Sequence, residues 1–101
     1  MVIKSITIQP ILYILLLENN KYYIGITLNL NQRLAQHFTG EGSQFTKKYK
    51  PLEVHKIIYN NDINESYENK ITLEYMHKYG YENCRGGSWC SLKINKPFSL
   101  N

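Results

Sequence analysis

Seven consecutive apolar residues, "ILYILLL" from Ile11 to Leu17, constrain the fold more than any other feature of this chain. The run is far too short to cross a bilayer, which takes about 20 residues as a helix. Asn19-Asn20 follows as a turn signal, and "KYYIGI" from Lys21 to Ile26 is a second β-rich run. Together they read as a hairpin. Continuous apolarity, rather than alternation, marks a strand buried on both faces, so the first strand belongs at the centre of its sheet. Lys4 ahead of the run gives the N-terminus the look of a short signal sequence. No small-residue cleavage site follows, so a core strand is expected, with no membrane association.

The rest of the chain supplies layers for that sheet. Asn29 is placed to cap a helix that ends before Gly40, and Leu30, Leu34 and Phe38 recur every fourth residue along it. Arg33 and His37 are also four apart and share the adjoining face. "TGEGSQFTKKYKP" reads as a Gly-bearing loop carrying Lys47, Lys48 and Lys50. Val54 to Tyr59 reads as a third strand. Asp62 is a plausible cap for a second helix running to about Tyr79, with Gly80 in the position that ends it. The tail "YENCRGGSWCSLKINKPF" has no clear period and reads as loop with at most a short strand. The expectation is a single α+β domain over residues 1–101, built on a small, mainly antiparallel three-stranded sheet flanked by helices.

Composition narrows the partners only a little. The formal net charge is +4, which permits a polyanionic partner without demanding one. Lysine outnumbers arginine ten to two, so Arg33 and Arg85 stand out in a chain that uses arginine sparingly. The nine tyrosines are mostly a matter of composition. Cys84 and Cys90 have no zinc-knuckle spacing; a metal site with His77 competes with the simpler reading of two free thiols in a reducing compartment.

One constellation goes beyond fold. Tyr13 precedes Tyr23 by ten residues, Tyr23 precedes Arg33 by ten, and Arg33 precedes His37 by four. A hairpin puts the two tyrosines on neighbouring strands, and the helix that follows can carry Arg33 back to them. Gly25, without a Cβ, would let a ligand or another backbone approach the strand closely.

These residues, "LYIL", "YYIGIT" and "NLNQRLAQH", resemble the GIY-YIG nucleases. The second motif is intact as Tyr23-Ile24-Gly25. The first is altered, with Ile11-Leu12-Tyr13 where Gly-Ile-Tyr is usual. The resemblance runs from Ile11 to about Cys90, and "YMHKYGYENCRGGS" is similar to a variant found in viral members. It implies a metal-dependent DNA endonuclease inside the cell, with Mg²⁺ or Mn²⁺ as cofactor and RNA as a further possible substrate. By the same resemblance Tyr13, Tyr23, Arg33, His37 and Asn83 are catalytic and Glu68 binds the metal. Glu65 and Glu74 compete for that last role. At 100° per residue, Glu65 lies about 60° from Glu68 on the helical wheel and Glu74 about 120° from it.

The chemistry fits those residue types. Cleaving a phosphodiester requires stabilising added negative charge, activating water and helping an alkoxide leave. One carboxylate suits Mg²⁺, which keeps most of its waters. An arginine fork grips phosphate oxygens two at a time. A phenol is a weak base near pKa 10, but can relay a proton if His37 takes it. Lys47 and Lys48, with Lys50, would contact backbone phosphates without reading sequence, and Arg85 with the "RGGS" backbone would add phosphate contacts. Each residue also has an ordinary structural reading: core tyrosines, a strand-ending glycine, a solvated helix face, loop caps. Two other functions compete: a catalytically weak nucleic-acid-binding module, favoured by the missing first glycine, and a structural protein whose tyrosines are all core.

Overall fold

The structure, a computed structural model, describes residues 8–100; Lys4 lies outside them. Strand β1 (Ile11–Leu17) turns into β2 (Lys21–Thr27). Asn19 and Asn20 take φ of 60° and 56° in the turn, a left-handed region that asparagine tolerates better than most residues. Helix α1 (Leu30–Phe38) follows, then a short α2 (Gln44–Lys48), strand β3 (Pro51–Ile58), helix α3 (Glu65–Tyr79) and strand β4 (Cys84–Gly86).

The sheet has four strands in the order β3-β1-β2-β4, one more than expected. β1 lies antiparallel to β2, with Tyr13 opposite Gly25, and antiparallel to β3, with Tyr13 opposite Ile57. The added strand, β4, runs parallel to β2 over Tyr22–Ile24. Three residues reading Cys-Arg-Gly carry no strand pattern of their own; the pairing with β2 makes them one. At the other edge, the β1–β3 register shifts twice, between Ile14 and Leu15 and between Leu16 and Leu17. Such irregularities blunt an exposed edge against pairing with another chain.

β1 is buried on both faces, as its continuous apolarity predicts. Leu12 and Ile14 join Ile24, Ile63 and Ile71 in a layer under α3. Tyr13, Leu15 and Leu17 join Tyr23 and Phe45 in the opposite layer, which α1 and α2 cover with Leu30, Leu34 and Tyr49. Phe38 departs from the predicted apolar stripe: it is 47% exposed, and the one fully buried residue of α1 is His37.

Each helix starts at a side-chain cap. Asn29 accepts from the Gln32 N–H, Ser43 from Thr46 and Asn64 from Tyr67. Asn64 therefore caps α3 in place of Asp62, two residues beyond the expected position. Gly80 closes α3 at φ 92°, where a Cβ would be strained. α2 replaces what reads as an uninterrupted loop, because five residues are too few to display a helical period.

Candidate functional site

Tyr13 and Tyr23 project from adjacent strands into the layer beneath α1. Their ring centroids lie 6.4 Å apart, and the His37 imidazole stands 5.5 Å from Tyr13 and 4.9 Å from Tyr23. The Tyr13 hydroxyl is the junction. It lies 2.9 Å from His37 Nε2 and accepts from Arg33 Nε at 3.3 Å. Arg33 also donates through Nη1 to Gln36 Oε1 at 2.9 Å. Four side chains predicted from sequence thus share one layer, with Arg33 and His37 meeting at the Tyr13 hydroxyl.

Gly25 has a role here different from the one expected. A Cβ at residue 25 would run into the Tyr13 phenol. The missing side chain makes room for the tyrosine directly opposite on β1, not for a ligand. Gly42 does the same for His37: its Cβ would meet Nδ1 and the Thr46 hydroxyl. Sequence reasoning missed Gly42, Ser43, Thr46 and Gln36. The Gly-Glu-Gly-Ser run signals a loop, and nothing in it shows that an imidazole from α1 packs there.

The electrostatics follow from burial. His37 is 0% exposed, and desolvation, reinforced by the Arg33 charge, lowers its pKa to about 4. It is neutral at pH 7. Tyr13 is pushed well above the usual phenol range, first by burial and then by Tyr23, with Arg33 pulling it down. Tyr23 is raised by burial, against the pull of Arg33 and Ser43. Burial opposes the charge on Arg33, but the hydroxyls of Tyr13 and Tyr23 raise its pKa, so the guanidinium stays charged.

Glu68 reaches this cluster around the sheet edge. β4 stops opposite Ile24, which leaves the next β2 amide on that side, Ile26 N–H, without a strand partner. Glu68 Oε2 accepts from it at 3.1 Å. Burial raises the Glu68 pKa, the Ile26 and Gly87 amides lower it, and Glu65 raises it again. The Glu68 charge also raises both Tyr13 and Tyr23, which marks its proximity to the two phenols. A polar recess of about 240 Å³ opens beside it, lined by Glu65, Glu68, Asn69, Gly87 and Ser88. Glu74 lines a different groove, with His77 and Leu73.

Three expectations are corrected. Asn83 is not at this site: its Nδ2 donates to Tyr79 O and its Oδ1 accepts from Lys21 Nζ, both at 2.7 Å, at the hairpin end of β2. Arg85 is not free for a substrate. It is 4% exposed, and its guanidinium donates to the carbonyls of Tyr81, Cys84, Ser91 and Leu92 while stacking 4.9 Å over Phe45. The "RGGS" backbone offers no amides to a phosphate either. Gly86 N–H bonds Trp89 O, Trp89 N–H bonds Gly86 O, Ser88 N–H bonds Asn69 Oδ1 and Gly87 N–H faces Glu68. Among the described residues no three His, Cys, Asp or Glu side chains group as a metal site, so Cys84, Cys90 and His77 do not form one. Cys84 is buried and its thiol pushed up to about 12 by desolvation. Lys47, Lys48 and Lys50 are exposed on and just after α2.

The paired tyrosines, Arg33, His37 and the edge carboxylate Glu68 all fall within the span matched by one family of nuclease type. The GIY-YIG catalytic domain matches residues 9–81, and the chain belongs to the GIY-YIG family. A UPF0213 protein of Neisseria meningitidis is 48% identical over 40 residues, which cover 40% of this chain and 44% of that protein. One from Xanthomonas campestris is 44% identical over 43 residues, covering 43% of this chain and 42% of its own. One from Pediococcus acidilactici is 35% identical over 69 residues, 65% of each. The matched segments thus span less than half of the first two relatives. These relatives are bacterial, unlike the viral members that the RGGS segment resembles. No solved structure matches the chain. Among the described residues no helix is long and apolar enough to cross a membrane.

Proposed function

We propose that this chain is a divalent-metal-dependent endonuclease acting on DNA. The observation that carries the reading is the Tyr13 hydroxyl, held between a charged guanidinium at 3.3 Å and a neutral imidazole at 2.9 Å, with a carboxylate nearby. Arg33 grips and neutralises the phosphate; its Gln36 partner on Nη1 can yield to a phosphate oxygen while Nε stays on Tyr13. Tyr13 accepts a proton from the attacking water as its own proton passes to His37 Nε2. The low His37 pKa keeps that nitrogen unprotonated and ready at neutral pH. Tyr23 orients the phosphate or the water.

Glu68 fits a hard cation. One of its oxygens is fixed by the Ile26 amide, and further lone pairs face a polar recess with room for waters. Mg²⁺ or Mn²⁺ bound there would neutralise charge developing on the phosphoryl oxygens. Lys47, Lys48 and Lys50 hold flanking phosphates without sequence preference.

The test is cleavage of branched, duplex and single-stranded DNA, with an RNA arm, in Mg²⁺, Mn²⁺ or EDTA. Cleavage in either metal and none in EDTA is expected. Glu68→Gln should lose cleavage while binding DNA in EDTA as well as or slightly better than the parent, because one repulsive charge is gone. DNA binding without nicking in any metal would establish the weak-module alternative instead. Neither binding nor cleavage would leave a structural role.

A further inference from the structure

His37 has no exposed surface, and each ring nitrogen has a single partner: Nε2 faces the Tyr13 hydroxyl and Nδ1 faces Thr46 Oγ1, both at 2.9 Å. A neutral imidazole carries its proton on one nitrogen or the other, and the hydrogen bond made by one end decides what the other end can do. We propose that Thr46 is a positioning residue, whose hydroxyl fixes His37 as the Nδ1–H tautomer and so keeps the Nε2 lone pair aimed at Tyr13. The role rests on the nuclease reading above, but the tautomer can be observed without any cleavage.

Both ends of the chain of hydrogen bonds select the same state. At the Tyr13 end, Arg33 Nε can only donate, and it already donates to the phenolic oxygen. Were Nε2 protonated as well, the hydroxyl would face two donors, and its own buried hydrogen would have no acceptor. At the Thr46 end, the hydroxyl has Ser43 O at 3.2 Å and Ser43 Oγ at 3.1 Å to receive its hydrogen. With its hydrogen given to Ser43, the Thr46 oxygen turns a lone pair to His37 and accepts from Nδ1.

The local sequence builds this contact. Ser43 caps α2 by accepting from the Thr46 N–H at 3.1 Å, which fixes Thr46 in the first turn. Gly42 leaves bare the space that a Cβ would take from both the imidazole and the Thr46 hydroxyl. In the Nδ1–H form the ring can take the Tyr13 proton on Nε2 without turning over. The imidazolium then formed keeps its bond to Thr46. In the other tautomer no lone pair faces Tyr13, and the relay has no first acceptor.

The test is ¹⁵N NMR of the imidazole in substrate-free protein at pH 7, with the exposed His55 and His77 replaced by Gln so that only His37 is observed. Thr46→Val keeps the shape and removes the hydroxyl; Thr46→Ser keeps the hydroxyl. The parent and the Ser variant should show protonated Nδ1 and bare Nε2. The Val variant leaves Nδ1–H without an acceptor while Tyr13 still disfavours Nε2–H, so the proton should be shared between the two nitrogens. Cleavage should fall, at most by about 10²–10⁴, the worth of a working general base. The Ser variant should cleave within about tenfold of the parent. Protonated Nε2 in the parent, an unchanged tautomer in folded Thr46→Val, or a flipped one in Thr46→Ser would each overturn the assignment. If Thr46→Val does not fold, the parent and Ser spectra still decide. A parent that holds the Nδ1–H tautomer and cleaves nothing would refute the nuclease reading alone.

Discussion

The two arginines of this chain sit in opposite surroundings. Arg33, on α1, is half-buried, and its bonds run to side chains, Tyr13 and Gln36. Arg85, on β4, is 4% exposed and donates to four backbone carbonyls. The half-buried Gln36 amide can swing aside for a phosphate while Tyr13 stays in place; backbone carbonyls in a packed loop cannot. Arg85 therefore pins the C-terminal segment to the sheet, tying residues 91 and 92 back to Tyr81 and Cys84. Arg33 is held in place with its charge still available. One residue type serves as a structural clamp in one region and as a candidate phosphate grip in the other, and what separates them is the kind of acceptor each has.

The largest expected effect separates these roles directly. Arg33→Ala should lower cleavage by about 10²–10³, the usual loss when one preorganised charge stabiliser is removed, and lower stability by only about 0.5–1.5 kcal/mol, the net worth of its hydrogen bond to Tyr13. Arg85→Ala should do the reverse. It leaves four carbonyls without a donor, at about 1–3 kcal/mol for each that water cannot reach. A net loss of about 3 kcal/mol lowers Tm by roughly 12–24 °C for a chain of this size. Parallel thermal melts and plasmid nicking assays read both. An Arg33 variant that unfolds, or an Arg85 variant that is stable but inactive, would exchange the two assignments.

Protonation gives the next effect. His37 titrates near 4 when folded and near 6.5 when unfolded. Between those values the unfolded chain binds the extra proton, so stability is complete above about pH 6.5 and falls as pH drops to about 4. The loss is of order 3 kcal/mol. Urea titrations at pH 7 and pH 4.5 should show it, and His37→Gln should remove most of the difference. Because the Arg33 charge is one cause of the depression, Arg33→Ala should move the His37 pKa back up, while Arg85→Ala should leave it alone. A cleavage profile that collapses near pH 6.5 would contradict a buried, neutral His37.

What the sequence disclosed follows from how local each signal is. The hairpin and the central strand are legible because seven apolar residues and two asparagines carry their own meaning. Tyr13, Tyr23, Arg33 and His37 are legible because a hairpin and one helix fix their relative positions. β4 is not legible, since Cys-Arg-Gly is a strand only beside β2. Arg85 misleads for a related reason: composition shows that a guanidinium is rare here, but not whether carbonyls surround it. Gly42, Ser43 and Thr46 look like ordinary loop residues until His37 is packed against them. Asn83 illustrates the limit of a family resemblance: both ends of its amide are engaged by Lys21 and Tyr79, far along β2 from Tyr13.

Gly25→Ala should cost less stability than losing Arg85 and less cleavage than losing Arg33. The new methyl collides with the Tyr13 ring, and overpacking of this kind costs about 1–3 kcal/mol. The ring must shift, and the hydroxyl with it, away from Arg33 Nε and His37 Nε2. Cleavage should fall by more than the stability loss explains, at temperatures where the variant is still folded. Unchanged cleavage in a folded Gly25→Ala protein would mean that the position of the phenol does not matter.

The smallest effect concerns a third kind of cation, neither clamped nor held at the site. Lys47 is exposed at the end of α2, near the rim of a recess of about 540 Å³ that also includes Lys50 and Thr39. A flexible ammonium there meets a phosphate as a point charge. Lys47→Ala should leave stability within about 0.5 kcal/mol. It should weaken DNA binding by a similar factor for every sequence, and reduce the slope of log K against log salt by about 0.9, the contribution of one phosphate contact. Arg33→Ala measured in the same titration should reduce the slope by a comparable amount yet cost far more in cleavage, because in the proposed mechanism Arg33, and not Lys47, is the cation that touches the reacting group. If Lys47→Ala lowers cleavage as much as Arg33→Ala without changing the salt slope, the division between grip and tether fails, and α2 belongs to the reacting centre.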